Sequence, residues 1–586
     1  MRFLTLGTTI VAALSLYVAS AFANHHETPD TVAPSLWAHS AEFEREVIQV
    51  TEGVWVAVGF GLANSILVEG ADGVIIIDTM ESVEEAATVR AAFREIVDKP
   101  VVALMYTHNH ADHVFGGRGF VPEGDIPAYA HSSTNYYIDR VINVVRPIIS
   151  ARSTRMFGTV LPEGPTGLVN AGIGPHLGVG GDSANRIGII RPNVTFDDAL
   201  EVTISGVRFV LEHAPGETND QILIYLPDHG VLFPGDNVYR AFPNLYTIRG
   251  TPYRDVVSWV SSIDRMRDIA PDFLVPSHTR PLSGADEIQE TLTAYRDAIQ
   301  YVHDQTIRGM NQGLTPDQLV EEVVLPDHLR DHPFLLEHYG TVEWSVRNIF
   351  GGYLGWFNGD AAFLSPAPNG ERAAEIIDLA GGVPRTMTAL REALANEQYR
   401  WAAELATYVL EVDAGLDEAR QIKADALRQL GYASVSPAGR NYYLTQALEL
   451  EGLVSTTEEN TGESAASSNV ATTFPIRSIL ASLPVRLNAA KALDKDMVVG
   501  FRFTNTGEAF TMHVRHGVAE LRDGFPDDPD VAIATDTVLF FEILTQQRSL
   551  PLSIATFKLR VTTGALTVPK FIEFLLLFRD DEAVEE

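Results

Sequence analysis

The feature that most constrains this chain is a seven-residue stretch, THNHADH, which runs from Thr107 to His113. It directly follows PVVALMY, a run whose apolar and β-branched residues predict a buried strand. The cluster therefore lies on the loop that leaves the C-terminal end of a strand, where layered α/β folds commonly carry their active sites. Four of its side chains, His108, His110, Asp112 and His113, face a common point only if the backbone forms a loop.

Three later strand-like runs also end in possible metal ligands. VRFVLEH is followed by APGETND, which contains Glu217 and Asp220. GVLFPGD ends at Asp236, and DFLVPSH ends at His278. Between the first strands lies VEEAATVRAAFREIV, whose apolar residues recur with helical spacing. The pattern predicts an α/β domain with four ligand-bearing strand ends.

The residue types in this set predict a divalent metal site. Imidazole nitrogen and carboxylate oxygen suit zinc or a similar ion. The chain contains no cysteine, which excludes thiolate ligands, thiolate nucleophiles and disulfides. One ion needs three or four ligands, so a larger set predicts two ions roughly 3.5–4 Å apart that share a carboxylate and a hydroxide.

Length, charge and the N-terminus bound the remaining possibilities. A chain of 586 residues exceeds one hydrophobic core and predicts two to four domains. Its formal net charge of −34 argues against a nucleic-acid partner, because phosphates are repelled. Residues 1–23 have an early arginine, a short apolar run and small residues before Ala23, which predicts a secretory signal peptide and a periplasmic or secreted protein. An uncleaved anchor is the alternative, although the run is short for a membrane span, and no other stretch is apolar enough to cross a membrane.

The pattern along the chain predicts three domains. Residues 24–312 form the α/β domain, in which the glycine-rich segment 158–191 is expected to be a long surface loop over the site. Residues 313–453 are helical, and we expect Trp356 and Trp401 to be packing residues. The polar stretch 454–471 predicts a linker, and residues 472–580 predict a small α+β domain.

The metal motifs resemble those of the metallo-β-lactamase superfamily. THNHADH, HAPGETND with the later PGD, and VPSH occur in that family's order. The resemblance implies an αββα sandwich with a dinuclear site at its rim. Where the superfamily usually has H-x-P-G-H-T, this chain has Glu217 in place of the second histidine, as in the alkylsulfatase branch.

Three further segments resemble the alkylsulfatase branch. They are FPNLYTIRGTPYRD at 242–255, YLGWFNGD at 353–360 and the C-terminal domain. The resemblance implies that a helical dimerisation domain and a small sterol-carrier-like α+β domain follow the sandwich, and that the protein is a homodimer.

The resemblance also assigns roles to the ligands. His108, His110 and Glu217 bind the first ion, and Asp112, His113 and His278 bind the second. Asp236 bridges the two ions, at a position that is usually glutamate in alkylsulfatases. Zinc is the expected ion. Asp220 remains an alternative to Glu217.

For the substrate, the resemblance implies that Asn244 and Arg249 hold a sulfate group; a pairing of Arg249 with Asp255 is the alternative. The position that usually carries the histidine acid corresponds to Trp344, so Tyr246, His338 and Tyr339 become the candidates for the group that protonates the leaving oxygen.

The expected function is therefore hydrolysis of alkyl sulfate esters, such as dodecyl sulfate, to alcohol and inorganic sulfate. The alternatives are another hydrolase of this fold, namely a lactonase, a β-lactamase or a phosphodiesterase, and a non-catalytic periplasmic lipid carrier.

Overall fold

The structure is a computed structural model that describes residues 29–178, 186–456, 474–545 and 547–579. The predicted signal peptide at 1–23 lies outside the described residues, as does most of the predicted linker at 454–471. In these four described ranges, no helix combines the length and the apolar character that a membrane span requires.

Two β-sheets form the centre of the first domain. The first sheet has seven strands in chain order: β1 Glu46–Thr51, β2 Val54–Val58, β3 Ser65–Glu69, β4 Val74–Ile77, β5 Val101–Met105, β6 Ala128–His131 and β7 Val194–Phe196. The second sheet comprises β8 Ala199–Ile204, β9 Val207–His213, β10 Ile222–Leu226, β11 Val231–Phe233, β12 Phe273–Leu274 and β13 Leu282–Ser283. Its spatial order is β13-β12-β11-β10-β9-β8.

Alternating side chains of the strands pack on the two faces of each sheet. In β4, Ile75 and Ile77 face the second sheet, whereas Val74 and Ile76 face the helices. The strand is buried throughout, because helices cover the outer face and the other sheet covers the inner face. In the second sheet, Phe233 likewise packs between the sheets.

The helices of this domain complete an αββα sandwich, which confirms the predicted fold class. They are α1 Pro34–His39, α2 Val83–Arg94, α3 Ala111–Val114, α4 Gly117–Phe120, α5 Thr134–Asn143, α6 Arg146–Phe157, α7 Val256–Ile269 and α8 Ala285–Asn311. Helix α2 covers the first sheet, and α7 with α8 covers the second.

The glycine-rich segment differs from its prediction as a surface loop. Asn170, Ala171 and Ile173 are buried, and Gly172 has φ +88°. A Cβ at Gly172 would lie 2.3 Å from the carbonyl oxygen of His338. The surface prediction is wrong for these residues, because small side chains and left-handed backbone let the chain pass between the sandwich and the helical domain.

The second domain is a set of packed helices. They are α9 Pro316–Glu322, α10 Asp327–Arg330, α11 Val342–Leu354, α12 Asn369–Leu379, α13 Val383–Ala395, α14 Tyr399–Val412, α15 Asp417–Ala433 and α16 Pro437–Leu450. Helix α14 buries Ala402, Leu405 and Val409, whereas Trp401 is 48% exposed and Trp356 is 76% exposed. The prediction that both tryptophans pack within the chain is wrong, because small alanines on α14 form the close helix contacts.

The third domain is a five-stranded sheet with helices. Its strands are β14 Asp496–Phe503, β15 Ala509–Arg515, β16 Val518–Asp523, β17 Val531–Thr535 and β18 Arg560–Val561, in the spatial order β16-β15-β14-β17-β18. Its helices are α17 Ile476–Ala481, α18 Leu483–Arg486, α19 Ala489–Ala492, α20 Thr537–Leu544, α21 Leu550–Ala555 and α22 Val568–Leu576. Phe571 and Phe574 on α22 are buried in its core. The domain contacts the sandwich through a 2.8 Å hydrogen bond from the Ser478 hydroxyl to Asp139 on α5.

Candidate functional site

Four strand ends meet at one edge of the sandwich, and Asp236 lies at their centre. Its Oδ2 is 3.6 Å from Nε2 of His108, 3.5 Å from Nε2 of His113 and 3.1 Å from Nε2 of His278. Oδ2 of Asp112 lies 3.4 Å from Nε2 of both His113 and His278. Ligands at 2.0–2.1 Å in a tetrahedral shell are about 3.3 Å apart, so these spacings fit donors around an ion.

The seven predicted ligands form three overlapping groups among the described residues. Each group offers ligand atoms that all lie within 4.8 Å of one another: His108, His113 and Asp236; Asp112, His113 and His278; His110, Glu217 and Asp236. Asp220 belongs to none of these groups, and its Oδ1 accepts a hydrogen bond from the Asn109 amide instead. The structure therefore brings Glu217, and not Asp220, to the cluster.

Hydrogen bonds orient three of the histidines. Nδ1 of His108 is 3.1 Å from Oγ1 of Thr107, which itself donates to Asp78. Nδ1 of His113 donates to Oδ2 of Asp78 at 2.8 Å, and Nδ1 of His278 donates to the carbonyl oxygen of Leu62 at 2.8 Å. In the neutral form of each ring these hydrogen bonds place the proton on Nδ1, so that the Nε2 lone pair faces the cluster.

Asp78 is a buried residue of the site that the sequence analysis missed. It follows β4 with φ 57° and accepts four hydrogen bonds of 2.8 Å, from the backbone N–H and the hydroxyl of Thr107, the hydroxyl of Ser277 and Nδ1 of His113. The signal in the sequence was an acidic residue at the end of the buried run VIII. A single acid after a strand is common, so its partners became visible only in the folded chain.

The electrostatics of the cluster favour a cation. Burial opposes protonation of His113, but Asp236, Asp112 and Asp78 outweigh burial and raise its pKa well above the ordinary value. The pKa of His278 is also raised, since Asp236 and Asp112 overcome the effect of burial. Burial lowers the pKa of His108 to about 4.

Buried polar atoms that have no hydrogen bond show whether the predicted ligand set fits a metal. In the described part of the chain, Nε2 of His113, Oε2 of Glu217 and Oδ1 of Asp236 have no hydrogen-bond partner. These are Lewis-basic atoms in an interior where polar atoms are normally paired. The donor set and its charge therefore fit divalent cations.

A cavity of about 410 Å³ opens from the cluster. Its polar end contains Asp112, Glu217, Asp236, Arg249 and Arg254. Its other walls come largely from α5, α6 and the glycine-rich segment, with the apolar side chains of Ile138, Val141, Val145, Ile148, Ile149, Phe157, Leu177 and Ile187. The lining thus combines the charged ligand cluster with a largely apolar wall, which also contains Arg140 and Arg146.

Of the two predicted sulfate-binding residues, Arg249 lies at the polar end, whereas Asn244 is not among the described residues that line the cavity. Nη2 of Arg249 is 3.0 Å from Nε2 of His110, and Arg249 lines the cavity. Asn244 is buried, and neither atom of its side-chain amide has a partner among the residues described. Asp255 instead caps α7 by accepting from two backbone N–H groups, so the alternative pairing with Arg249 is not observed.

The three candidate acids are placed differently. Tyr339 lines the cavity, and burial raises its pKa well above the ordinary value. Tyr246 and His338 are not among the described residues that line this cavity. The His338 ring packs 4.2 Å from the ring of His39, behind the glycine-rich segment, so these two candidates are not brought to the site.

The structure adds one further residue, Arg254. Its side chain is buried, with Nη1 2.8 Å from Oε1 of Glu217. Burial raises the pKa of Glu217 to about 7, although Arg254 acts in the opposite direction. The sequence signal lay inside the segment 242–255, where roles had been assigned to Asn244, Tyr246 and Arg249 but not to Arg254. Trp344, at the position assigned to the missing histidine, instead packs in an apolar cluster with Tyr339 and Met156.

Comparisons with known proteins confirm the family resemblance. Models of the metallo-beta-lactamase superfamily, alkyl sulfatase dimerisation and the alkyl sulfatase C-terminal domain match residues 58–278, 315–452 and 464–581, respectively. A linear primary-alkylsulfatase of Pseudomonas sp. is 39% identical over 86% of this chain and 97% of the relative. The alkyl/aryl-sulfatase BDS1 of Saccharomyces cerevisiae is 30% identical over 94% of this chain and 86% of the relative.

A solved structure agrees with these sequence relatives. The stereoselective inverting sec-alkylsulfatase Pisa1 from Pseudomonas sp. has a TM-score of 0.87 and 26% identity, with 95% of this chain and 88% of that chain covered. The agreement therefore spans all three domains and not the sandwich alone. The chain belongs to the alkylsulfatase family within the metallo-β-lactamase superfamily.

Proposed function

We propose that this protein hydrolyses alkyl sulfate esters to an alcohol and inorganic sulfate with the help of two divalent metal ions, zinc being the ion expected for this ligand set. The observation that carries the proposal is the cavity, which joins a cationic and metal-binding end to apolar walls. An alkyl sulfate has the same two parts, an anionic head and an apolar chain. A carrier that only binds lipid has no need for the complete ligand set.

The ligand atoms would divide between the two ions. His108, His110 and Glu217 would hold one ion, whereas Asp112, His113 and His278 would hold the other. Asp236 would help to hold both ions, a role that its Oδ2 distances to three histidines support. When bound, the two ions lower the pKa of water toward about 7 and so supply a nucleophile at neutral pH.

The protein side chains bind the ester and complete the proton balance. Arg249 presents a planar fork of N–H donors that matches two sulfate oxygens. The oxygen of water bonds to the sulfur or to the ester carbon, the bond from that same atom to the bridging ester oxygen breaks, and the leaving oxygen, of the alcohol or of the sulfate respectively, takes a proton while water gives one up. Tyr339 is the candidate donor of that proton, because it lines the cavity and its raised pKa keeps the phenol protonated.

The apolar walls give the alkyl chain a place to bind. Val141 on α5, Ile149 on α6 and Val145 between the two helices line this part of the cavity. Removing the chain from water contributes about 0.8 kcal/mol per buried CH₂. This contribution favours an alkyl ester over free sulfate.

Two further features belong to the proposal. We expect residues 1–23 to direct the protein to the periplasm or the outside of the cell. We also expect a homodimer, supported by the match to an alkyl sulfatase dimerisation model and by exposed apolar side chains in that domain, Trp356, Leu364 and Leu379. Large exposed apolar groups of this kind commonly mark protein interfaces.

The test measures sulfate release from dodecyl sulfate by ion chromatography, with protein whose zinc content has been determined. We expect release by the zinc-loaded protein, loss after chelation, and a large loss in Arg249→Met. Arg240→Met is the matched control, since Arg240 pairs with Glu42 and is not among the described residues that line the cavity. A lactone and a phosphodiester are assayed in parallel. If zinc-loaded protein releases no sulfate from any alkyl sulfate, the proposal is refuted.

A further inference from the structure

The wall of the cavity contains two arginines apart from Arg249 and Arg254. Arg140 lies in the last turn of α5 and Arg146 is the first residue of α6, so the two flank the turn between these helices. Arg140 is exposed, and Arg146 is partly buried. We call these two residues the outer arginines. The proposed function assigns them no role.

The charges of the lining contrast with those of the whole chain. The chain has 43 lysines and arginines against 77 aspartates and glutamates. The only acidic residues among the described residues that line the cavity are the predicted ligands Asp112, Glu217 and Asp236, whereas four arginines line it. The carboxylates of the lining would all be engaged by metal ions, so none of them is left to neutralise the outer arginines.

Arg140 has no side-chain partner in the described ranges, where its guanidinium makes no hydrogen bond, ion pair or ring contact. The adjacent Asp139 is engaged by Arg191 and by the hydroxyl of Ser478. The first turn of α6 contains no acidic residue. A cationic side chain therefore faces the cavity wall without an anion from its own surroundings.

The outer arginines and the metal cluster lie at different ends of α6. This helix has 12 residues, so Arg146 at its start and Phe157 at its end are about 16 Å apart along the axis. Phe157 packs in an apolar cluster with Leu62 and Tyr339, and the carbonyl oxygen of Leu62 accepts the hydrogen bond from His278. A long alkyl chain whose head is at the metal cluster can therefore reach the outer arginines with its far end.

The chemistry of this wall determines which far end it accepts. A purely apolar wall favours a methyl end, because an anionic group there would lose its hydration without compensation. Guanidinium groups reverse that preference, since their N–H donors form charge-assisted hydrogen bonds with carboxylate or sulfate oxygens. A chain with an anionic group at each end matches the cavity better than a chain with one.

We infer that the substrates of this protein include long-chain alkyl sulfates that carry a second anionic group, a carboxylate or a sulfate, at the far end of the chain, and that Arg140 and Arg146 bind this second group. The inference rests on the proposed function, because it names the substrate class of the same site. With a carboxylate at the far end, water and the sulfate ester yield a long-chain hydroxycarboxylate and inorganic sulfate. The carboxylate itself does not react.

The test uses sulfonates, which resemble the sulfate head but are not hydrolysed. Calorimetric titration into full-length, zinc-loaded protein gives the Kd of 12-sulfododecanoate and of dodecane-1-sulfonate, both kept below the concentration at which they form micelles. The carboxylate compound should bind about 3- to 30-fold more tightly, as expected for two ion pairs that are partly exposed to solvent. The shorter compounds 6-sulfohexanoate and hexane-1-sulfonate should differ little, because six carbons do not reach from the metal cluster to the outer arginines.

Variants assign the preference to the two side chains. The double variant Arg140→Gln with Arg146→Gln should lose the preference for the carboxylate compound, and the corresponding double lysine variant should keep part of it, because the charge remains. Arg140→Gln alone should lose part of the preference, and it replaces an exposed side chain, so the test does not depend on the folding of the double variant. Arg94→Gln is the matched control, since Arg94 is exposed, pairs with Asp98 and is not among the described residues that line the cavity.

Three results would overturn the inference: no preference in the wild type, an unchanged preference in both the single and the double glutamine variants, or an equal preference at both chain lengths. The last result would indicate a general attraction of anions to the protein. Sulfate release from 12-sulfooxydodecanoate and from dodecyl sulfate is measured in parallel. If dodecyl sulfate is hydrolysed but the carboxylate gives no preference, this inference fails and the proposed function stands. If the preference is found and depends on the outer arginines, but no alkyl sulfate is hydrolysed, the proposed function fails and the binding of doubly anionic chains stands.

Discussion

The substitution Asp78→Asn tests how the fold orients a predicted metal ligand. Oδ1 of Asp78 accepts from the backbone N–H of Thr107, and Oδ2 accepts from Nδ1 of His113 and from two hydroxyl groups. A backbone N–H cannot reverse its role, so the asparagine oxygen must remain at the Oδ1 position. The asparagine NH₂ group then faces Nδ1 of His113, which carries a proton.

The conflict has a defined consequence for His113. Either two donors face each other, or the imidazole proton moves from Nδ1 to Nε2, the atom that faces Asp112 and Asp236. A proton on Nε2 removes the lone pair that would bind the metal. Changes to such supporting hydrogen bonds cost about 10- to 100-fold in metal affinity, or about 1.4–2.7 kcal/mol. We expect this loss for the ion held by Asp112, His113 and His278.

The assay is competition for zinc with a chelator of known affinity, together with sulfate release at limiting and excess zinc. Asp78→Asn should keep one tight ion, lose affinity for the other and regain activity in excess zinc. Asp72→Asn, in the exposed turn of the same hairpin, is the matched control. Two wild-type zinc affinities in folded Asp78→Asn protein would refute the reasoning that Asp78 sets the His113 tautomer.

Three further predictions follow from other parts of the molecule. Val145→Trp narrows the apolar part of the cavity, so kcat/KM for dodecyl sulfate should fall relative to kcat/KM for a short-chain alkyl sulfate. If the ratio of these two kcat/KM values is unchanged, the alkyl chain of the substrate does not bind beside Val145. Trp356→Glu combined with Leu379→Asp should convert the expected dimer to a folded monomer in light scattering, because both side chains are exposed in one chain, at 76% and 86%. Burial lowers the pKa of His39 to about 4 and that of His338 to about 3, so both are neutral in the folded state at pH 6.5. The contribution of His39 to the free energy of unfolding is therefore fully present above pH 6.5 and falls by about 3 kcal/mol as the pH drops to 4. In urea unfolding of metal-free protein, the free energy of unfolding of His39→Gln should depend less on pH than that of the wild type. An equal pH dependence in both proteins would contradict the burial argument.

The ligand-bearing segments were predictable from the sequence because the signals are local. THNHADH follows a buried strand, and Glu217, Asp236 and His278 each follow another. Apolar alternation predicts strands, and strands that end at one edge bring their loops together. The same patterns predicted an α/β domain, and the family resemblance implied its αββα arrangement.

Contacts between distant segments were not predictable in this way. Asp78 acquires its role from Thr107 and His113, which belong to one distant segment, and from Ser277, which belongs to another. The choice of Tyr339 over Tyr246 or His338 at the cavity depends on how α11 and the glycine-rich segment pack against the sandwich. The spacing of residues within any one of these segments does not predict that packing.

By itself, the sequence determined which kinds of ligand this protein offers, nitrogen and oxygen without sulfur, and at which strand ends they stand. The tertiary structure decided which atoms of these residues face one another, that Glu217 and not Asp220 joins the cluster, and that Arg254 holds Glu217 while its Nε and Nη2 find no hydrogen-bond partner among the described residues. The physical reason is the distance along the chain over which each effect acts. Backbone periodicity and loop position act over a few residues, whereas burial, tautomer and hydrogen-bond pairing depend on side chains that only folding brings together.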